Sequence, residues 1–231
     1  MSKLLKTAAV FLCAVIVAST LSFCASAQVQ LIGNYPDVPE NEWYYDAVSY
    51  CSEEGFITGY GNGRFGPLDR IQRQDFVVIL ARIADVNLNK YKPSAAISRF
   101  SDVSDPNAYY VRALTWGIST GVIQGYANGS FGVGDAVTRE QVCVFLYRYL
   151  DYMGKDTVVT ASMITGLMNF KDAASISSFA QKSVAWCRHN GIVGGTANGY
   201  FNPTRYALRC EVAQIIMNAA KNGFFGKWID I

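Results

Sequence analysis

Apolar residues recur with a helical period in six stretches of the chain, which form three pairs separated by glycine-rich segments. In the longer member of each pair they fall at i, i+3, i+4 and i+7, as in a helix with one buried face. These positions are Phe76, Ile79, Leu80 and Ile83; Val142, Phe145, Leu146 and Tyr149; and Val212, Ile215, Ile216 and Ala219. The pattern predicts three units of helix, loop and helix.

The shorter stretches carry a stripe of the same kind. They place on one face Tyr44, Ala47, Val48 and Cys51; Tyr110, Ala113, Leu114 and Gly117; and Ala180, Ser183, Val184 and Cys187. Residues 55–82, 121–148 and 191–218 align without a gap. A unit this small cannot bury its apolar face alone, so the three copies are expected to pack on one another.

The loop of each copy contains an Asn-Gly pair, a strong signal for a tight turn because both residues tolerate positive φ. A phenylalanine follows two residues later and is expected to anchor the loop on the core. These pairs and phenylalanines are Asn62, Gly63 and Phe65; Asn128, Gly129 and Phe131; and Asn198, Gly199 and Phe201. In the second copy, Thr138 and Gln141 match a capping box, whereas the third copy has Leu208 at the capping position.

The ordered motifs resemble the S-layer homology (SLH) domain. Each copy opens with an aromatic residue two positions before an aspartate, continues through Gly-x-x-x-Gly and Asn-Gly-x-Phe, and reaches a shared arginine. The resemblance covers nearly the whole chain after residue 27. It implies a mainly α fold, with three helix–loop–helix repeats in a pseudo-threefold arrangement around a central helical bundle. The expected segments are a signal peptide at 1–27 and repeats at 28–90, 91–160 and 161–231.

The resemblance also implies non-covalent binding of a secondary cell-wall polysaccharide, typically one with pyruvylated amino sugars, in grooves between repeats. The expected ligand-binding set is Asp37, Trp43, Gly59, Arg73, Asp102, Tyr109, Gly125, Arg139, Asp172 and Arg209. Copy three departs most from the pattern, with Thr196 where Tyr60 and Tyr126 stand. Its groove is therefore expected to be degenerate.

The shared arginines Arg73, Arg139 and Arg209 begin the second helix of each copy. Free backbone N–H groups and the helix dipole would make an anion site there, and a guanidinium adds bidentate geometry for a carboxylate. The structural alternative is an arginine that pairs with an acidic residue and fastens one copy to the next.

The aspartates Asp37, Asp102 and Asp172 have two interpretations. Each either closes an Asx-turn or caps a helix, or accepts hydrogen bonds from sugar hydroxyls. The equivalent aromatic residues Trp43 and Tyr109 are candidates for stacking on a sugar ring, and the third member, Phe179, is expected to be structural.

Residues 1–27 indicate an export signal. Lys3 and Lys6 precede an apolar run, and Ala25-Ser26-Ala27 offers a cleavage site, although a lipoprotein signal ending at Cys24 is an alternative. No later run is long enough for a transmembrane helix. Cleavage removes two of the 20 basic residues and none of the 18 acidic ones, which leaves 18 of each. A neutral chain argues against nucleic acid as a partner.

The two segments between copies differ in composition. Residues 85–98 are polar and are expected to form a crossing loop, whereas residues 151–169 carry apolar residues at helical spacing and predict an extra packed helix. Four cysteines follow the signal. They are expected to be buried thiols, with a disulfide as the alternative in an exported protein; they are Cys51, Cys143, Cys187 and Cys210.

No catalytic or metal-binding motif is present. The chain has one histidine, no CxxC pair and no nucleophile–base set, so we expect neither an enzyme nor a metal or cofactor site. A secreted hydrolase is the least favoured function. The main alternative to wall anchoring is an interaction protein of the cell envelope, whose partner docks on the aromatic tail from Phe224 or on the outer part of a repeat.

Overall fold

The computed structural model describes residues 35–225, and within them the chain is mainly helical, as predicted. The predicted signal peptide, Cys13 and Cys24, and residues 226–231 lie outside the described residues. The described part contains eight α-helices. They are α1 Tyr45–Glu53, α2 Arg73–Ile83, α3 Ser94–Arg99, α4 Val111–Ser119, α5 Arg139–Tyr152, α6 Ala161–Gly166, α7 Gln181–His189 and α8 Arg209–Lys221.

Both connecting segments contain helices. The prediction of a loop over residues 85–98 was wrong, because a 3-10 turn at Leu88–Lys90 and helix α3 lie there, with Ala96 fully buried and α3 packed on α4. Ala96 and Ile97 pack against the core, whereas Ala95 and Ser98 are exposed. The extra helix expected between repeats 2 and 3 is present as α6, which packs on α7.

The second helix of each repeat packs on the first helix of another repeat, so the repeats depend on one another for their cores. Helix α2 of repeat 1 packs on α4 of repeat 2, α5 of repeat 2 on α7 of repeat 3, and α8 of repeat 3 on α1 of repeat 1. The contacts therefore run in a closed cycle. The predicted packing of one copy on the next is confirmed. A pseudo-threefold arrangement stays a prediction, which this cycle supports.

Three backbone hydrogen bonds close the same cycle just before the second helices. Ile71 N–H donates to Ala207 (3.1 Å), Ala207 N–H donates to Val137 (2.9 Å), and Val137 N–H donates to Ile71 (3.0 Å). Each repeat thus donates one bond and accepts one. These residues are equivalent in the alignment and fully buried or nearly so, so the ring fixes where the three second helices begin.

The capping predictions hold. Thr138 Oγ1 accepts from Gln141 N–H (3.4 Å) and Gln141 Oε1 accepts from Thr138 N–H (3.1 Å), which completes the capping box of α5. Leu208 has no side-chain acceptor, yet Glu211 Oε2 accepts from its N–H (3.0 Å). Helix α8 therefore has only one of the two hydrogen bonds of a capping box.

The start of the tail packs against aromatic rings of the repeats, with Phe224 and Phe225 half-buried. The Phe224 ring lies against Trp186 (5.0 Å between centroids), and the Phe225 ring lies against both Phe56 and Tyr149 (6.4 and 6.2 Å). Part of each ring is thus already covered by the protein's own rings, and docking of a partner on the aromatic tail stays a prediction.

All four described cysteines are buried free thiols, as the first interpretation expected. Cys51 Sγ lies 3.5 Å from the carbonyl oxygen of Ala213, and Cys187 Sγ lies 3.9 Å from that of Cys143, so each thiol contacts a helix of another repeat. Burial raises the pKa of Cys210 to about 12. The thiols act as small apolar residues of the core.

Candidate functional site

Each loop is held by the aspartate that opens its repeat. Asp37 accepts from the N–H groups of Phe65 (2.9 Å) and Gly66 (2.8 Å), one on each carboxylate oxygen. Burial acts to raise the pKa of Asp37, but these N–H donors outweigh it and hold the pKa below its ordinary value. The carboxylate is therefore ionised at neutral pH and joins the loop to a segment 28 residues earlier.

The other two repeats use the same device. Asp102 accepts from Phe131, Gly132 and Val133 at 2.7–2.8 Å, and Asp172 accepts from Phe201 and Asn202 at 2.8 and 2.7 Å. Neither expected local role describes these contacts, because the bonds are long-range rather than an Asx-turn or a helix cap. The aspartates support the loops that line the grooves.

The glycines Gly59 and Gly125 are required by close packing beneath the loops. Gly59 N–H donates to the hydroxyl of Tyr35 (2.9 Å). A Cβ at Gly59 would collide with the Tyr35 ring and with the carbonyl oxygen of Arg64, and one at Gly125 would collide with the Phe100 ring. Both glycines therefore allow an aromatic ring to lie directly against the loop backbone.

The shared arginines are buried and join consecutive repeats. Only 3% of Arg73, 8% of Arg139 and 5% of Arg209 is exposed. Their Nε atoms donate to the anchoring phenylalanines of another repeat: Arg73 to Phe131 (3.0 Å), Arg139 to Phe201 (2.8 Å) and Arg209 to Phe65 (2.8 Å). Burial lowers the pKa of Arg73 and Arg139, although not enough to discharge a guanidinium.

Several backbone N–H groups of the expected anion site at the helix N-termini are already hydrogen-bonded. The backbone N–H of Arg73 donates to Asp135, that of Arg139 to Arg205 and that of Arg209 to Asp69, all carbonyl oxygens of another repeat at 2.9–3.0 Å. Pro203 and Pro67 accept from the next N–H of α5 and α8. The first N–H of all three helices and the second N–H of α5 and α8 are therefore used by inter-repeat contacts and are not offered to an anion.

Each guanidinium lies about 5 Å from the ring of an anchoring phenylalanine, and in two of the three a tyrosine ring lies against it as well. The Cζ atom of Arg209 lies 4.7 Å from the centre of the Tyr60 ring, and that of Arg73 lies 4.5 Å from the Tyr126 ring. In repeat 3 the equivalent residue is Thr196, and Arg139 instead pairs with Glu211 (3.2 Å). The three arginines thus share one backbone role but differ in the surroundings of their outer nitrogens.

Residues 35–225 form grooves between the repeats, and each of the two described here is built from all three repeats. The repeat-1 groove has a volume of about 400 Å³. Its lining combines the repeat-1 loop and α2 with an arginine of repeat 3 and an aromatic ring of repeat 2. The lining side chains used below are Thr58, Tyr60, Asp75, Arg82, Tyr109 and Arg209.

The repeat-3 groove has a volume of about 680 Å³ and the same plan. It combines the repeat-3 loop and α8 with an arginine of repeat 2 and an aromatic ring of repeat 1. Its principal lining residues are Trp43, Arg139, Gly194, Thr196, Glu211 and Asn218. A third residue set of this type surrounds Arg73, whose Nη2 lies 3.5 Å from the carbonyl oxygen of Gln124.

The groove aromatics are exposed, with 60% of Trp43 and 64% of Tyr109 accessible to solvent. Phe179, expected to be structural, is equally exposed at 60%, so core packing does not describe it. The phenol of Tyr109 donates to Asp75 Oδ1 across the repeat-1 groove. Burial and this hydrogen bond raise the pKa of Tyr109 well above its usual range.

The expected residues of one repeat do not meet in one groove. Trp43 lines the repeat-3 groove, Arg73 contacts the repeat-2 loop and Asp37 supports the repeat-1 loop. The sequence analysis missed a pair of polar residues on the groove side of each second helix. The first is the third residue of the helix, and the second lies seven positions later. These pairs are Asp75 and Arg82, Gln141 and Arg148, and Glu211 and Asn218. The i, i+7 spacing on one helix face is the signal that could have revealed it.

Residues 35–225 contain no cluster of three or more potential metal-ligating side chains. Nor does this part of the chain include a helix that is both long and apolar enough to cross a membrane.

Comparison with known proteins agrees with this architecture. The S-layer homology domain matches residues 34–77, 99–143 and 169–213, together more than half of the chain. The protein belongs to the S-layer homology family. It is a secreted protein of the bacterial cell wall or S-layer, and the family and its S-layer relatives support a role in cell-surface anchoring.

Relatives include an S-layer protein of Bacillus thuringiensis subsp. finitimus, 28% identical over 191 residues, and an endoglucanase of Bacillus sp. (strain KSM-635), 26% identical over 182 residues. A cellulosome-anchoring protein of Acetivibrio thermocellus is 24% identical over 168 residues. The alignments cover 81%, 79% and 73% of this chain, but only 21%, 18% and 36% of those proteins. The similarity to the endoglucanase therefore concerns a minor part of that protein.

Proposed function

We propose that the protein is a non-catalytic module that anchors to the cell wall by holding an acidic, pyruvylated secondary wall polysaccharide in the grooves between its repeats. The observation that carries this proposal is the shared plan of the two grooves. Each joins a guanidinium at its inner side to an exposed aromatic ring at its rim, in a cavity of the size that one or two sugar units need.

The chemistry of each part suits such a ligand. Trp43 and Tyr109 offer flat apolar faces for a sugar ring, and the arginines offer donors for a carboxylate. Asp37, Asp102, Gly59 and Gly125 contribute by holding the loops in place. Several grooves on one body would bind a repeating polymer more tightly than one groove, because the second contact is intramolecular.

The binding test uses rim residues, since the buried arginines also hold the repeats together. Trp43→Ala and Tyr109→Ala remove exposed rings, and the double variant is expected to lose retention on purified wall polysaccharide in a sedimentation assay. Met168→Ala, which removes a side chain that is 76% exposed and lines neither groove, is the matched control. Full retention of the double variant, with an unchanged circular dichroism spectrum, would refute binding in these grooves.

The alternative function, an interaction protein of the cell envelope, stays a prediction, and part of the surface of its proposed docking tail is covered. Phe224 and Phe225 pack against Trp186 and Tyr149 and are half-buried, so they offer a partner only part of their rings. The cellulosome-anchoring relative provides an example of surface assembly by a related protein.

A further inference from the structure

The two grooves differ in how their guanidinium groups are neutralised. In the repeat-3 groove, Arg139 Nη1 lies 3.2 Å from Glu211 Oε1, and the same carboxylate also pairs with Arg205. In the repeat-1 groove the residue equivalent to Glu211 is Asp75, which accepts the phenol proton of Tyr109. Arg209 makes no ion pair within residues 35–225 and donates only to the carbonyl oxygens of Phe65 and Thr58.

A second arginine adds to this difference. Arg82 lines the repeat-1 groove, where its Nη1 lies 3.4 Å from Thr58 Oγ1 and from the carbonyl oxygen of Phe56. The equivalent residue of the repeat-3 groove is the neutral Asn218. Arg70 completes the lining of the repeat-1 groove and stacks 4.7 Å from the centre of the Tyr206 ring.

The lining of the repeat-1 groove thus contains three arginines and one aspartate, whereas that of the repeat-3 groove contains one arginine and one glutamate. Asp69 is exposed beside the first groove but does not line it, and no ion pair within the described residues involves it. A carboxylate entering the repeat-1 groove would meet donors that no acidic residue satisfies. In the repeat-3 groove it would have to displace Glu211.

We propose that the repeat-1 groove binds the carboxylate-bearing unit of the saccharide through Arg82 and Arg209, and that the repeat-3 groove accepts an uncharged sugar unit. This inference rests on the proposed function and assigns a different ligand chemistry to each groove. The body would then bind a polymer in which charged and uncharged units occur at a defined separation. Arg82, which is exposed and holds no other repeat, is a specificity-determining residue of this arrangement.

The test compares two probes by calorimetry and by amide chemical shifts: a 4,6-O-pyruvylated N-acetylhexosamine methyl glycoside and the same glycoside without the pyruvyl group. For the wild-type protein, the charged probe should shift the amides of Gly59 and Tyr60, and the uncharged probe those of Gly195 and Thr196. Arg82→Gln should weaken the charged probe at least about tenfold, the loss expected for one charge-assisted contact, and leave the uncharged probe unaffected. Asn218→Ala changes the equivalent residue of the repeat-3 groove and is the control: it should not alter binding of the charged probe.

A gain-of-function variant gives the sharpest result. Glu211→Gln frees Arg139 from its ion pair and keeps a cap acceptor, as the natural Gln141 does in repeat 2. It should allow the charged probe to shift the Gly195 amide as well. If the charged probe shifts Gly195 in the wild-type protein, or if Arg82→Gln binds it normally, the assignment of charge to the repeat-1 groove is overturned, although wall anchoring stands. If the wild-type protein is not retained on the purified wall polysaccharide, the proposed function itself fails.

Discussion

Arg73 donates its Nε–H to the carbonyl oxygen of Phe131, 3.0 Å away and 58 residues later in the chain. The bond joins the start of one repeat's second helix to the loop of the next repeat, and equivalent bonds run from Arg139 to Phe201 and from Arg209 to Phe65. Each of these arginines therefore stabilises the fold through Nε, while its Nη1 and Nη2 atoms lie near a groove. Substituting it tests stability and binding at once.

Arg73→Lys is expected to destabilise the protein by about 1–3 kcal/mol, although it keeps the charge. Lysine has no equivalent of Nε at this position, so the buried carbonyl of Phe131 would lose its donor, and the stacking on Tyr126 would be lost. Urea unfolding followed by circular dichroism measures the change. Arg99→Lys, at an exposed site on α3, is the control and should be neutral. Equal stability of the two variants would contradict the structural role of Arg73.

The helices were predictable from sequence because their burial follows a local period. The apolar stripe of Val142, Phe145 and Leu146 became the buried face of α5. Packing between copies was predictable, but which helix packs on which was not, since the apolar stripes of the three copies are alike and do not specify a partner. Helix α3 was missed for a related reason: its six residues are too few to show a helical period, and Ala96 is buried where α3 packs on α4.

The sequence predicted which types of residue form the candidate site, but not which residues come together in one groove. The resemblance named an arginine and an aspartate in each copy and an aromatic residue in the first two, but the residues of one copy lie in different places in the fold. Trp43, for example, meets Arg139 rather than Arg73. Arg82 can be recognised as a groove residue only from the tertiary structure, which places α2 beside the loop that contains Thr58.

Gly59→Ala is expected to destabilise the repeat-1 loop by about 1–3 kcal/mol, because the added methyl group would collide with the Tyr35 ring. Gly61 lies two residues later and has a φ that other residues adopt, and a methyl group added there would have no neighbour within 4 Å. Gly61→Ala should therefore be neutral or slightly stabilising. Thermal unfolding of the pair measures the difference. A destabilised Gly61→Ala with an unaffected Gly59→Ala would reverse this interpretation.

Acidification should weaken the fold through the loop aspartates. The pKa values of Asp37 and Asp102 are lowered from an ordinary value of 3.8 because loop N–H groups favour the carboxylates over the opposing effect of burial. Their stabilising contribution is therefore complete above the unfolded-state pKa, and it is lost as the pH falls through the lower folded-state values.

The measurement is urea unfolding between pH 6 and pH 2. Stability should decline below about pH 4. Asp102→Asn should be less stable than the wild type at pH 6 and decline less on acidification, since the titrating group is gone. Parallel declines of the two proteins would show that Asp102 does not contribute to the pH dependence.

The four thiols should be unreactive in the folded protein. Each is buried, and burial raises the pKa values of Cys51 and Cys210, so the reactive thiolate is both rare and inaccessible. Titration with a disulfide reagent, in protein lacking residues 1–27, should detect none of the four before unfolding and all four in guanidinium. Fewer than four in guanidinium would reveal a disulfide, and rapid labelling of the folded protein would contradict the burial.

Phe225→Ala should lower stability without weakening wall binding. The ring packs edge-on against Phe56 of repeat 1 and Tyr149 of repeat 2, so its removal opens a gap between two repeats, at a cost of about 1–3 kcal/mol for a half-buried ring. Neither groove is lined by Phe225, and retention on purified wall polysaccharide should be that of the wild type. A variant that keeps its full stability but loses a co-purifying protein would instead favour a docking role for the tail.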